Sequence, residues 1–155
     1  MNPTRLAILS AVAVLAIGTG ISVANAQSPT EIVEERQDHM KVFGNAMRVT
    51  GLYLREDAAT IEEVQEAVMP AAAIAPDMLS WFPEGTEVGV GDSRALPIIW
   101  EQWDDFSDIA NASAQAMVSF EEAVALGDPA NIGAALGQVG QTCGTCHDTY
   151  RAEEQ

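Results

Sequence analysis

The strongest constraint in this sequence lies near its carboxyl end, in the run Cys143-Gly144-Thr145-Cys146-His147. This run holds the only two cysteines of the chain and one of its two histidines. On a helix, positions i, i+3 and i+4 share one face, so both sulfurs and the imidazole would point the same way. The C-x-x-C-H pattern is typical of covalent c-type haem attachment, with two thioethers and an axial histidine. We therefore predict one haem c bound through Cys143 and Cys146, with His147 as the iron ligand.

Three other uses of these cysteines are less consistent with the sequence. A redox dithiol belongs near a βαβ pattern, and no strand pattern occurs nearby. A zinc site needs a fourth ligand, and the other histidine, His39, is far upstream. A disulfide between cysteines three apart would strain a helix and close a loop too small to stabilise much. Haem attachment remains the favoured interpretation.

Residues 1–26 have the features of a secretory signal. Arg5 supplies the positive start, residues 6–17 form an uncharged and mostly apolar run, and Ala24-Asn25-Ala26 matches a small-residue cleavage site. Polar and glycine residues interrupt the run before the ~20 apolar residues that a membrane span needs. We predict cleavage after Ala26 and export, which in a bacterium means the periplasm. Residues 27–155 then form a single domain.

The chain is strongly acidic. Cleavage removes one basic residue, Arg5, and no acidic one, so the formal charge of −16 becomes −17. Such a charge disfavours binding to nucleic acid or to an anionic membrane surface and favours solubility. It would also suit a basic partner, although a well-solvated surface is the commoner cause. We predict no nucleic-acid partner, and no membrane association after cleavage.

The first helix has a clear start signal. Ser28-Pro29-Thr30-Glu31 combines a capping box with proline at the first helical position, and predicts a helix that runs to about Leu54. Residues at three- and four-residue steps would form one face of it. These are Ile32, Arg36, Met40, Phe43 and Met47.

The second helix has clear start and stop signals. Asp57 or Thr60 can cap it, and Pro70 and Pro76 would kink it or end it early, so that it tapers toward residues 79–82.

Two more helices follow a long connection. Residues 83–97 are rich in glycine and turn formers and predict a loop that crosses from one end of the molecule to the other. A continuous third helix is predicted from Ile98 to a C-cap at Gly127, and a fourth begins at Asp128-Pro129. Four amphipathic helices with this connectivity predict an all-α fold, an antiparallel up-down four-helix bundle.

Glycines recur along the fourth helix and lead into the haem motif. They are Gly133, Gly137, Gly140 and Gly144. Each costs a helix ~1 kcal/mol relative to alanine. We interpret them as places where a flat macrocycle or a neighbouring helix approaches the backbone.

With the haem motif at the end of a helical bundle, the chain resembles the class II c-type cytochromes, and cytochrome c-prime most of all. The resemblance covers the whole chain after residue 26. It is carried by Arg36-Gln37 with Met40, by Phe82-Pro83-Glu84-Gly85-Thr86, by Ile99-Trp100, and by the terminal stretch from Val139 to Arg151.

The resemblance implies roles for individual residues. Arg36 and Gln37 would lie near the haem propionates, since a guanidinium matches a carboxylate well. Met40 and Phe82 would crowd the side of the iron opposite His147. Arg151 would shape the pocket on the histidine side.

The resemblance also implies a function. The implied protein has a five-coordinate, high-spin haem, transfers single electrons and binds small gases such as NO and CO. It is not an enzyme. The alternative is a low-spin class II cytochrome in which His147 and Met40 are both axial ligands and the protein only carries electrons. A peroxidase would need an acid–base group above the iron, and we expect His39 to be exposed and turned away. The redox partner cannot be identified from the sequence.

Members of the family often pair as homodimers through their first two helices. Apolar positions that the helical pattern places outward could supply such an interface. These positions are Val33, Leu52 and Val68.

Overall fold

The fold is helical throughout the part of the chain that the structure, a computed structural model, describes: residues 27–56 and 58–153. In chain order the elements are α1 (Pro29–Glu56), α2 (Ile61–Ile74), a 3₁₀ segment (Ala75–Trp81), α3 (Ile98–Glu101), α4 (Trp103–Leu126) and α5 (Pro129–Tyr150). No strand occurs in these ranges, and β-type pairing is limited to one bridge between Ala95 and Arg151. None of the described helices is long and apolar enough to cross a membrane. The predicted signal peptide, residues 1–26, and the candidate cap Asp57 lie outside the described residues.

Both predicted capping boxes are confirmed. Ser28 Oγ accepts from the Glu31 amide at 3.3 Å, while the Glu31 carboxylate accepts from the Ser28 amide at 2.7 Å. Thr60 and Glu63 exchange the same pair of bonds at the start of α2. These side chains satisfy amide groups that have no partner within the helix.

The proline-based boundary of the second helix is also confirmed. Pro70 is tolerated on the exposed side of α2, whereas the helix ends at Ile74, just before Pro76. The chain then tightens into the 3₁₀ segment, which buries Met78 and Trp81.

The prediction of one continuous helix from Ile98 to Gly127 is wrong. At Gln102 the backbone leaves the helical region, with φ −120° and ψ 44°, and separates α3 from α4. The short α3 buries Ile99, and the Trp100 indole donates to the Phe82 carbonyl at 3.0 Å. This bond joins residues 18 apart, so the helical pattern of the segment could not reveal it.

The junction of α4 and α5 follows the sequence prediction. Gly127 ends α4 with a φ of +75°, a conformation that costs glycine little. Asp128 then caps α5 by accepting from the Asn131 amide at 2.9 Å.

The bundle is formed by α1, α2, α4 and α5, and confirms the predicted four-helix fold. α4 packs along α5, α1 along α2, and α2 along α4, whereas α1 and α5 touch only sparsely. Large side chains fill the centre: Val64, Val68, Ile99, Phe106, Met117, Phe120, Val124, Ile132 and Val139. The loose contact between α1 and α5 leaves room for a cavity between them.

Two of the three residues proposed for a dimer interface do not face outward. Val33 is 1% exposed and Val68 is fully buried, while Leu52 is partly buried. The helical pattern alone could not show which sides of α1 and α2 the neighbouring elements would cover. The prediction that Val33 and Val68 are outward is therefore wrong.

Candidate functional site

A half-open cavity of about 470 Å³ lies between α1 and the end of α5. All eight residues predicted for the site line it, although they come from four parts of the chain. They are Arg36, Gln37, Met40, Phe82, Cys143, Cys146, His147 and Arg151. The tertiary structure thus brings the predicted residues together around one space.

The last turns of α5 present the haem motif to this space. Cys143 and Cys146 are partly buried and are not joined in a disulfide. Burial raises the pKa of both, that of Cys146 to about 11 with the neighbouring Cys143 as a second cause. His147 stays accessible to solvent, yet partial desolvation lowers its pKa, and the guanidinium groups of Arg151 and Arg94 lower it further. A lowered pKa favours the neutral imidazole, the form that binds metals.

The opposite wall is apolar and comes from the predicted face of α1. Met40, Phe43 and Met47 line the cavity there. At one end a row of aromatic rings closes it: Phe82 meets Phe106 edge-on at 4.9 Å between centroids, and Phe106 meets Tyr150 at 5.3 Å. Phe106 and Tyr150 were not predicted as site residues, since each reads as ordinary core in its own helix.

Arg36 is buried and binds the long connection. Its guanidinium donates four hydrogen bonds. One goes to Trp81 O at 3.2 Å, and three, each at 2.9 Å, go to Thr86 Oγ1, Thr86 O and Ser93 Oγ. It also lies 4.7 Å above the centre of the Phe82 ring. Four of its five N–H groups are thus used, and only Nε–H remains. All four acceptors are neutral, and burial lowers the pKa of Arg36.

The rest of the connection joins α1 to the chain after α5. Gln37 Nε2 donates to Asp92 O at 2.9 Å. Arg94 Nε donates to Ala152 O at 2.8 Å, and the Ala152 amide donates to Arg94 O at 2.8 Å. Sequence reasoning missed Arg94 as a residue of the cavity, because only the path of the loop brings it there.

His39 belongs to a different cavity. That space, of about 430 Å³, lies on the other side of Arg36 and is also lined by Glu35, Asp77 and Trp81. The His39 ring is 4.4 Å from Trp81, and its Nδ1 is buried without a hydrogen-bond partner. The expectation that His39 is exposed is wrong, since the 3₁₀ segment covers it. It remains outside the cavity of His147.

The glycines of α5 show only ordinary contacts. A Cβ placed on Gly133 would lie 3.8 Å from Leu54 Cδ1, and one on Gly140 would lie 3.7 Å from Met47 Cε. These distances allow α1 to approach α5, but they do not require glycine. Gly137 and Gly144 have no protein atom within 4 Å of such a Cβ.

The residues of the cavity fit a haem. Its volume is within the range of about 300–1,000 Å³ typical of ligand and cofactor sites, and its walls are mainly apolar. The two cysteines and the imidazole of His147 lie on one side of the cavity. Arg36 adds a buried positive charge, and all the groups that accept its hydrogen bonds are neutral. Among the described residues, no three His, Cys, Asp or Glu side chains gather as a site for a free metal ion.

Comparison with known proteins agrees with this geometry. The sequence profile of the family described as Cytochrome C' matches residues 31–151. The chain belongs to the cytochrome c' family. It is 33% identical over 142 residues to cytochrome c' of Rhodospirillum rubrum, covering 92% of this chain and 96% of that protein. It is 35% identical over 123 residues to cytochrome c-556 of Agrobacterium tumefaciens, covering 79% of this chain and 98% of that protein.

Solved structures of cytochrome c' share the fold. One, described as having an unusual ligand-controlled dimer dissociation, has a TM-score of 0.75 and 30% identity, and covers 82% of this chain and 98% of its own. Another is the nitric oxide complex of a leucine-to-valine variant from Alcaligenes xylosoxidans, with a TM-score of 0.71 and 25% identity over 81% of this chain and 98% of its own.

Membership of the cytochrome c' family establishes the cofactor. The family carries covalent haem c, so Cys143 and Cys146 attach one haem c in this chain. Some relatives are named cytochrome c' and others cytochrome c-556. The coordination of the iron in this chain therefore does not follow from similarity.

Proposed function

We propose that this cytochrome c' is a periplasmic one-electron carrier whose haem iron is five-coordinate and high-spin, and that it binds NO or CO at the open position. Bound haem supplies a redox-active iron with a coordination position for a small ligand. The observation that supports the proposal best is the cavity itself: Cys143, Cys146 and His147 on α5 face a wall of methionine and phenylalanine from α1.

The residues of the chain have separate tasks in this proposal. Cys143 and Cys146 hold the macrocycle, and His147 is the only protein ligand of the iron. Met40 and Phe82 make the other side narrow and apolar. Such a wall gives no hydrogen bond to bound O₂ but admits small neutral ligands. A related cytochrome c' has been obtained as a nitric oxide complex, which is consistent with this ligand class.

Arg36, Gln37 and Arg151 have supporting roles. Burial of a charge without a charged partner is costly, so a haem propionate beside Arg36 would compensate its positive charge. The Nε–H of Arg36 is the group that remains for such a bond. Arg151, four residues after His147, shapes the pocket on the histidine side.

The optical spectrum of the ferric protein at neutral pH tests the coordination. We expect a high-spin, five-coordinate form. A six-coordinate, low-spin form would contradict the proposal and favour the alternative, in which Met40 is the second axial ligand and the protein only carries electrons. In that case Met40→Ala abolishes the low-spin spectrum, and an unchanged spectrum would exclude Met40 as the ligand.

Catalysis of peroxide chemistry is not expected. A peroxidase needs an acid–base group above the iron. His39, the remaining histidine, contributes to the other cavity. Turnover with hydrogen peroxide far above that of free haem would contradict this view.

Export can be tested by mass spectrometry of the protein from the periplasm. We expect a chain that begins at Gln27 and carries one haem. A mass that includes residues 1–26 would contradict cleavage after Ala26.

A homodimer is the proposed assembly, as implied by the family and by a relative with ligand-controlled dimer dissociation. Because Val33 and Val68 are buried within the chain, other residues must form the interface. Light scattering with and without CO measures the assembly; a monomer at all concentrations would contradict it.

A further inference from the structure

The carboxyl-terminal part of the chain carries charge of one sign. Residues 95–150, which include α3, α4 and α5, contain eight acidic residues and no lysine or arginine. The eight are Glu101, Asp104, Asp105, Asp108, Glu121, Glu122, Asp128 and Asp148. Half of them are concentrated where α3 meets α4, and these four are all exposed. In the described part of the chain the one salt bridge joins Lys41 and Asp38, so no described cation pairs with them.

Trp103, the first residue of α4, lies in this acidic segment. Of the five large apolar side chains that are exposed among the described residues, it is the only aromatic one, at 37% exposure. Its indole N–H donates to none of the described residues, whereas that of Trp100 is bonded to Phe82 O. An exposed tryptophan with an available donor and polar neighbours has the character of an interface hot spot.

Trp103 also connects this surface to the haem cavity. Its ring lies 5.6 Å from that of Phe106 between centroids, and Phe106 lines the cavity. A partner seated on Trp103 would therefore be one ring away from the cavity wall. The rate of electron tunnelling falls steeply with distance, so this contact favours Trp103 over exposed apolar residues that have no such link.

Three carboxylates are held close to Trp103 by the backbone. Glu101, Asp104 and Asp105 are each within two residues of it, which keeps their Cα atoms within about 7 Å of its own. Charges at this separation are within the screening length of about 10 Å at about 0.1 M ionic strength. A cation that approaches Trp103 is therefore attracted mainly by these three groups.

We propose that a surface at the start of α4 is the docking site for a lysine- or arginine-rich face of a redox partner protein. This Trp103 surface consists of Trp103, Glu101, Asp104 and Asp105. Charge complementarity selects a basic partner, and the face of the indole adds cation–π attraction. One electron moves between the redox centre of the partner and the haem held by Cys143 and Cys146, and no atom is transferred. This inference rests on the proposed one-electron function.

Oxidation by a small cation locates the attraction. The reduced holoprotein is mixed in a stopped-flow instrument with triply positive tris(phenanthroline)cobalt(III), which accepts one electron. At about 0.1 M salt we expect Asp104→Asn/Asp105→Asn to slow oxidation by about four-fold. Glu121→Gln/Glu122→Gln is the matched control, because it removes the same charge about 26 Å further along the same helix and should leave the rate unchanged. Equal effects of the two double variants would show that only net charge governs approach, and would overturn the proposal.

Substitution of the indole tests the aromatic centre of the surface. We expect Trp103→Ser to slow the same oxidation by about three-fold, with an unchanged reduction potential and haem spectrum, and Trp103→Phe to recover most of the rate. Val118→Ser changes another exposed apolar residue of α4 and should have no effect. A native rate in Trp103→Ser would overturn the role of Trp103.

An oligolysine peptide, as a model of the basic face, distinguishes docking from attraction of small cations. In NMR spectra of the holoprotein it should shift the indole N–H signal of Trp103 more than those of Trp81 and Trp100. The shift should be smaller in Asp104→Asn/Asp105→Asn, and an oligoglutamine peptide should cause none. No selective shift at Trp103 would overturn the docking proposal.

A second copy of this chain is the other possible occupant of the surface. Two such surfaces carry charge of the same sign and should repel each other. We therefore expect light scattering to give the same mass for Trp103→Ser as for the native protein, and a change of mass would overturn the proposal. If the native protein does not react with the cobalt complex although its haem spectrum is intact, the proposed one-electron function fails instead.

Discussion

Arg36 on α1 donates hydrogen bonds to both the hydroxyl and the carbonyl of Thr86. Nη1 donates to the Thr86 hydroxyl and Nη2 to its carbonyl, each at 2.9 Å, across 50 residues of sequence. The same guanidinium reaches Ser93, and Arg94 then binds Ala152, just beyond α5. Arg36 and Arg94 together thus connect α1, through the long connection, to the chain just beyond α5.

Replacement of this guanidinium should destabilise the protein. We expect Arg36→Ala to lower the free energy of unfolding by about 3 kcal/mol, because it removes four hydrogen bonds from a buried site, to Trp81, Thr86 and Ser93. Arg36→Lys should recover less than half of the loss, since an ammonium cannot bind both groups of Thr86. Chemical denaturation of the holoprotein measures both. Arg48→Ala, at an exposed position of α1, is the control, and Arg36→Lys with native stability would contradict the expectation.

Two glycine substitutions should have effects of opposite sign. Gly127→Ala should destabilise by about 1 kcal/mol, because φ is +75° there and a side chain is strained in that conformation. Gly137→Ala should stabilise by about 1 kcal/mol, since the position is helical and no protein atom lies within 4 Å of the new methyl group. Thermal unfolding compares them. A gain of stability in Gly127→Ala would contradict the assigned C-cap.

The thiols of the chain without haem should react slowly. The pKa of Cys146 is raised from 9.0 to about 11, and the thiolate is the nucleophile. At about pH 8 we expect alkylation by iodoacetamide to be about 100-fold slower in the folded than in the unfolded chain.

The same shift predicts how stability depends on pH. The Cys146 thiol keeps its proton in the folded state at pH values at which it has lost it in the unfolded state. The free energy of unfolding should therefore fall as the pH rises from 9.0 to about 11. Cys146→Ser, which does not titrate there, is the control. Equal alkylation rates for the folded and unfolded chain would contradict the raised pKa. In the holoprotein both sulfurs are thioethers and should not react.

Removal of the Met40 side chain, which we propose lies above the iron, should favour gas binding. We expect Met40→Ala to raise the affinity for CO by about ten-fold, because the methionine occupies space in the cavity that the ligand needs. Met69→Ala, at a residue that is 59% exposed and outside the cavity, should leave the affinity unchanged. Equilibrium titration of the ferrous proteins with CO measures both. An unchanged affinity in Met40→Ala would show that this residue does not restrict the ligand.

Features governed by a few neighbouring residues could be predicted well. Capping at Ser28, Thr60 and Asp128, termination at Gly127 and the haem motif all depend on groups within one helical turn. The break at Gln102 could not be predicted this way, because the Trp100–Phe82 bond that accompanies it forms only after the loop has folded back.

The sequence by itself determined the helical class, the starts of α1, α2 and α5, the end of α4 and the haem motif, since short-range spacing carries each of these. The resemblance of its motifs indicated the cytochrome c' family. Only the tertiary structure decided that Arg36 binds the long connection, that Arg94 lines the haem cavity, and that Val33, Val68 and His39 are covered. These outcomes depend on contacts between segments tens of residues apart. Such contacts are selected by the packing of the whole bundle, which no local pattern encodes.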